Sequence, residues 1–158
     1  MKKALLIATS LFIAGQAAAT ESRTVDIIAD VPSDTFYVVE APGSDIFSAT
    51  QTMNYDVANQ TFAPVMGDIV FQASAGSITA QVTGTPSLVG NTPTNTIPLT
   101  VQIGTVALSG TAEEIAPTSS AGVPTTASLR ISANTGGTAP AADSYSGTVS
   151  LVFENVTP

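Results

Sequence analysis

An all-β fold of short antiparallel strands is what this sequence predicts, and three observations lead to it. Apolar residues recur at every second position in stretch after stretch, the spacing that puts them on one face of an extended strand. Twelve glycines and ten prolines fall mostly between those stretches, where turns are needed. Thr, Ser, Ala and Val dominate while charged residues make up only 10% of the chain, which favours sheet and supplies poor material for exposed helices.

The first 19 residues read as an export signal and not as part of the fold. Lys2 and Lys3 form a basic start, an apolar run extends from Ala4 to about residue 15, and Gln16-Ala17-Ala18-Ala19 supplies the small residues of a cleavage site. Cleavage is expected after Ala19. The apolar run is short for a membrane span and no later stretch approaches one, so an exported product without a membrane insertion of its own is expected. About 139 residues remain, enough for one domain with a single core. Of the four basic residues only Arg23 and Arg130 survive against twelve acids, a charge near −10 that repels nucleic acid and anionic lipid. Cysteine is absent although the compartment is oxidising, so core and sheet alone must hold the domain together.

The mature chain opens on Thr24-Val25-Asp26-Ile27-Ile28-Ala29-Asp30-Val31. Val25, Ile27, Ala29 and Val31 share one face of a strand, Asp26 and Asp30 the other, with Ile28 the exception, and Pro32 ends the run by removing a ladder donor. Such a strand can pair with its own sheet or with another molecule's. Residues 35–40 form the next strand, closed by the turn Ala41-Pro42-Gly43. Residues 51–55 and 60–63 read as two short strands joined across Ala58-Asn59. Residues 68–72 and 77–83 read as a hairpin across residues 73–76, with Ile78, Ala80 and Val82 on one face.

Residues 84–95 are rich in turn formers, with Leu88 and Val89 expected against the core. Ile97, Leu99, Val101 and Ile103 point inward from one strand, and Pro98 suggests an edge or a strand start. Gly104 turns the chain towards Val106 and Leu108, and residues 113–124 read as a polar connection. Ala127, Leu129, Ile131 and Ala133 alternate in a further strand, followed by a loop over residues 134–143. Residues 145–156 close the chain as one strand with Tyr145, Gly147, Val149, Leu151 and Phe153 on one face. About seven to nine evenly spaced short strands argue for an antiparallel β-sandwich of immunoglobulin-like type.

Missing residue types narrow the function. Without His or Cys the Ser–His and Cys–His nucleophile systems cannot be built, and the usual zinc and copper ligands are lacking. No lysine survives cleavage, which removes Schiff-base chemistry. Glu113-Glu114 and the series Asp26, Asp30, Asp34 are the only candidates for a carboxylate pair, and they read as solvated faces. The acids are too scattered for a calcium loop. No enzyme, cofactor or metal is therefore expected. Asn59-Gln60-Thr61 and Asn155-Val156-Thr157 match the glycosylation acceptor pattern and read as chance matches. In Tyr145-Ser146-Gly147 the tyrosine reads as a corner packing residue and the glycine as a position needing room, either for packing or for close approach of a neighbouring strand. Phe36, Tyr37, Tyr55, Phe62, Phe71 and Phe153 read as core and not as a sugar-stacking platform.

Several pieces together resemble the major pilin of class-five, or alternate chaperone–usher, fimbriae, of the colonisation factor antigen and cable pilus type. They are Thr24-Val-Asp-Ile-Ile-Ala-Asp-Val31, Met53-Asn-Tyr-Asp-Val57 leading to Phe62, and Asp68-Ile-Val-Phe71. Pro86-Ser-Leu88, Ile97-Pro-Leu-Thr-Val101 and Ser144-Tyr-Ser-Gly-Thr-Val-Ser-Leu151 follow in order. The acidic excess, the lack of mature lysines and residues 113–126 depart from that pattern.

The resemblance implies a sandwich lacking its last strand, completed by the N-terminal extension of a neighbouring subunit. It divides the chain into a signal peptide (1–19), a donor-strand extension (20–32) and a pilin domain (33–158). Val25, Ile27, Ala29 and Val31 would be the inserted residues and Val149, Leu151 and Phe153 the edge that receives them, since nothing follows that could pair with that edge. The implied partners are identical subunits in a homopolymer, a periplasmic chaperone, an outer-membrane usher and a tip adhesin. The implied location is a surface fimbrium, exported through the periplasm of a Gram-negative bacterium. A second reading is a monomeric secreted sandwich that binds carbohydrate or protein through the loops at residues 84–95 and 134–143.

Overall fold

Period-two alternation becomes sheet almost wherever it occurs. The structure is a computed structural model that describes residues 36–157, all within one compact unit. The strands are β1 (Phe36–Glu40), β2 (Tyr55–Asp56), β3 (Thr61–Phe62), β4 (Val65–Ala73), β5 (Ser77–Thr83) and β6 (Ser87–Gly90). They continue as β7 (Thr96–Ile103), β8 (Val106–Leu108), β9 (Glu113–Ala116), β10 (Thr125–Ala133), β11 (Tyr145–Ser146) and β12 (Ser150–Val156). A single helical turn, α1 (Thr118–Ala121), lies between β9 and β10. One sheet runs β1-β4-β10-β7-β6-β11, with β8 also on β7; a second runs β12-β5-β9; β2 and β3 form a ribbon. Every pairing is antiparallel.

The core lies between the inner faces. Ile69, Phe71 and Ala73 of β4, Ile78, Ala80 and Val82 of β5, and Ile97, Leu99, Val101 and Ile103 of β7 are all buried, each set at period two. Among the described residues no polar or charged residue is fully buried, so apolar packing carries the interior.

Four readings from the sequence need correction. β4 and β5 do not form a hairpin: they belong to different sheets, and residues 74–76 arch across the core between them. Alternation cannot separate the two cases, because a hairpin and an arch both keep the inward face at period two. The arch is tight: Gly76 has φ +82°, and a Cβ there would run into the carbonyl of Val156. The turn-rich 84–95 segment contains β6, in which Leu88 is half-buried but Val89 is 40% exposed. The polar connection at 113–124 contains β9 and α1; Ala116 and Ala121 carry its burial, two small residues too sparse to give a visible period. Finally, the closing strand is two strands. β11 pairs with β6 in the first sheet, and β12 pairs with β5 in the second.

That last correction sets the architecture. β5 continues into β6 as β11 continues into β12, so one antiparallel pair of strands folds over from one sheet to the other. Residues 84–86 and 147–149 form the corner. A Cβ at Gly147 would run into the carbonyl of Ser87, so the glycine permits the close approach of the other strand. Tyr145 holds the same corner, its hydroxyl donating to the Ala141 carbonyl at 2.8 Å. Hydrogen-bonded neighbours thus lead from β1 through β4, β10, β7, the β6–β5 strand and the β11–β12 strand, alternating in direction throughout. Among the described residues no strand connects β12 back to β1.

Asp143 ties the loops beside this corner. It accepts from the backbone N–H of Thr92 at 2.9 Å, the Asn95 amide at 3.0 Å and the N–H of Ser144 at 2.8 Å. The Thr92 and Asn95 donors hold its carboxyl below the usual aspartate range. A depressed carboxyl adds stability that is complete above the unfolded pKa and is lost as pH falls through the folded one.

Two outcomes follow. Gly76→Ala and Gly147→Ala should each cost about 1–3 kcal/mol in denaturant unfolding, whereas Gly104→Ala, with φ +58° but open space around it, should cost about 1 kcal/mol or less. Asp143→Asn should lower the midpoint of thermal unfolding at neutral pH, with the gap to wild type closing as the pH falls below the usual aspartate range.

Candidate functional site

Among the described residues β12 is half-buried on one face and hydrogen-bonded on one side only, to β5. Its side chains alternate exposed and half-buried along the strand, with Leu151, Phe153 and Asn155 turned inward. Their partners across the β5 pairing, Val82, Ala80 and Ile78, are only 3%, 1% and 0% exposed. Residues directly opposite in an antiparallel pair share a face, so burial falls away within a single layer from β5 to β12. The same happens at β1, where Val38 is half-buried opposite the fully buried Phe71. Val149, Leu151 and Phe153 all pack against the core without being covered by it.

An open cavity of about 900 Å³ continues this uncovered strip past the start of β12. Its floor is Val65 of β4, Ile131 of β10, Leu99 of β7 and Leu88 of β6, one inward residue from each successive strand. One wall is Ile46 and residues 49–53, the segment that follows β1; the other is residues 140–143 and 145–149.

Both walls are anchored by local chemistry. Glu40, at the end of β1, accepts from the N–H groups of Phe47 and Ser48 and from the Ser48 hydroxyl at 3.2 Å. This folds residues 41–48 back and seats Ile46 at 8% exposure. The Phe47 and Ser48 donors lower the Glu40 pKa, chiefly the first of them. Gln51 donates to the Asp45 carbonyl at 2.9 Å and continues the same wall. Asp56 caps the turn between β2 and β3 by accepting from Ala58 and Asn59, and the Tyr55 and Phe62 rings beside it lie 5.0 Å apart. Asp143 and Tyr145 fix the opposite wall as described above.

The expected receiving residues are thus brought together: Val149 lines the cavity, and Leu151 and Phe153 extend its apolar strip along β12. The expected donor residues Val25, Ile27, Ala29 and Val31 lie outside the described residues, as do Asp26, Asp30 and Asp34. Sequence reasoning placed Leu99 and Ile131 in the core and missed that they floor an open groove. Periodicity reports which face is inward, not whether that face is covered. Ile46 was missed altogether, and Met53 was read only within a short strand over residues 51–55, whereas β2 begins at Tyr55; neither sits in a periodic run.

Nothing in this site points to catalysis. The cavity is mainly apolar, and its one carboxylate, Asp143, is spent on three backbone and amide donors. Glu113 and Glu114 are consecutive residues of β9 and so point to opposite faces. Glu113 accepts from the hydroxyls of Ser109 and Thr111, each at 3.3 Å. Among the described residues no cluster of His, Cys, Asp and Glu could hold a metal ion, and no helix is long and apolar enough to cross a membrane. The loop reading also weakens, because a third of one proposed loop is β6 and Asp143 ties it to the other.

Comparison with known proteins agrees with this architecture. No curated protein matches the chain by sequence. The CooA pilin subunit from enterotoxigenic Escherichia coli is similar in structure, with a TM-score of 0.66 and 25% identity over 78% of this chain and 88% of that one. A chain in a structure titled for the chaperone–tip adhesin complex in CFA/I fimbriae biogenesis shares the fold, with a TM-score of 0.52 and 16% identity over 77% of this chain and 43% of that one. Residues 21–154 match the family described as the CS1 type fimbrial major subunit. The chain belongs to that family.

Proposed function

We propose that the open side between β12 and β1 is an acceptor groove, and that residues 20–32 of a second copy of this chain fill it as a strand. The observation that carries this reading is the half-buried row Val149, Leu151 and Phe153, which runs directly into the apolar cavity. An apolar strip along a strand edge suits an extended partner that supplies both ladder hydrogen bonds and alternate side chains.

Direction follows from topology. β1 and β12 run oppositely in the alternating series, so a strand between them must be parallel to one and antiparallel to the other. Antiparallel pairing is the more stable per residue, and β12 offers seven residues against five in β1. The incoming strand is therefore taken as antiparallel to β12. Val25, Ile27 and Val31 turned inward would contribute on the order of 5–9 kcal/mol before entropy. A contact between different surfaces of two copies does not close on itself, and it propagates as a filament.

In this reading the protein is the structural major subunit of an adhesive fimbrium and has no enzymatic role. A periplasmic chaperone holds the groove until an outer-membrane usher passes the subunit on, and a tip adhesin ends the fibre. The second structural relative comes from work on a chaperone–tip adhesin complex, which supports the choice of partners.

Deletion of residues 20–32, or Ile27→Asp, should abolish filaments seen by electron microscopy of cells expressing the whole assembly system. The deleted segment, refused after Pro158 through a short flexible linker, turns back antiparallel to β12. That variant should be a monomer that melts well above the deletion variant. Normal filaments from the deletion would contradict the proposal.

A further inference from the structure

Alternation alone leaves the register of the inserted strand open. A slip of one residue turns the wrong face inward, but a slip of two keeps Val25, Ile27, Ala29 and Val31 inward and merely moves them along the groove. With residues of such similar character something else must select the register.

Asn155 is the one inward polar residue of β12, next after Phe153 along the strip. Its Oδ1 is buried and has no hydrogen-bond partner. It lies where a Cβ on Gly76 would be 2.9 Å away, so the arch closes one side of it. An unpaired buried acceptor is costly, and each register of an antiparallel strand treats it differently. With Ile27 opposite Phe153, Val25 falls opposite Asn155 and seals an apolar side chain over the orphaned oxygen. Moved on by two residues, Ile27 lies opposite Leu151, Val25 opposite Phe153 and Ala29 opposite Val149. Val31 then passes the start of β12 into the cavity, and the residue opposite Asn155 is Arg23.

Arg23 continues the inward series from Val25 and is one of only two arginines in the chain. Its guanidinium offers donors only, as an orphaned carbonyl-type oxygen requires. Building on the acceptor-groove reading, we infer that Arg23 of the incoming copy pairs with Asn155 and thereby pins the donor strand in the register Val25–Phe153, Ile27–Leu151, Ala29–Val149.

The chain has no cysteine, so introduced pairs report without interference. Residues directly opposite in an antiparallel pair have Cβ atoms about 4.5–5.5 Å apart and diagonal ones about 7–8 Å, which separates bridgeable from unbridgeable pairs. In assembled fibres Ile27→Cys with Leu151→Cys should form intermolecular disulfides, and Ile27→Cys with Phe153→Cys should not. Adding Arg23→Leu should shift cross-linking towards the Phe153 pair. It should also weaken binding of a synthetic 20–32 peptide to a subunit lacking that segment by about tenfold or more. Asn155→Leu in the subunit should restore much of the loss. Preferential cross-linking at Phe153 in otherwise normal fibres would overturn the register alone. An Arg23→Leu chain that keeps the Leu151 cross-link would overturn the pinning. Absence of both cross-links in assembled fibres would overturn the register, and failure of the 20–32 peptide to bind a subunit lacking that segment would overturn the acceptor groove itself.

Discussion

A strand hydrogen-bonded on one side and half-buried on one face needs a second neighbour, and among the described residues β12 is such a strand. Its inward row is half-covered while the row beside it on β5 is sealed. The cause lies at the corner where Gly147 meets Ser87, because there the β5–β6 and β11–β12 pair folds from one sheet to the other. The fold-over seals one side of the core and leaves the other to be closed between β12 and β1. The cavity floored by Val65, Ile131, Leu99 and Leu88 is the same opening seen past the end of the β12 edge.

The absence of disulfides gives that opening added weight. A cysteine-free domain exported into an oxidising compartment keeps its shape by burial and ladder bonds alone. A strand inserted as proposed would add to both, and a fibre built of such joints would persist because subunits could leave only through a slow opening step. Strand insertion also covers an edge that would otherwise invite aggregation. These properties suit the family to which the chain belongs: a fimbrial major subunit is exported through the periplasm of a Gram-negative cell to a surface fimbrium.

Much of this was legible in the residues. Strands β1, β5, β7 and β10 lie where alternation placed them, and Ile97, Leu99, Val101 and Ile103 are all buried. Readings failed where two structures share one pattern. The 73–76 link keeps period two whether it is a hairpin or an arch, and the closing segment keeps it whether it stays in one sheet or crosses to another. β9 was hidden because Glu113-Glu114-Ile115-Ala116 is polar and its one fully buried side chain is small. The groove walls were illegible for a different reason: Ile46 and Met53 are seated by turns that Glu40 and Gln51 hold, contacts that no local period encodes. Asn155 read only as part of a chance sequon, since nothing in sequence shows that its side-chain oxygen is buried and unpaired.

The central claim is that each subunit's sheet is completed by another copy's N-terminal segment. A cryo-electron microscopy map of assembled fibres, at a resolution that traces side chains, tests it directly. The account predicts a strand between β12 and β1, antiparallel to β12, whose density continues through residues 33–35 into the β1 of a neighbouring subunit. A groove left empty, or filled by the subunit's own residues 20–32, would contradict it.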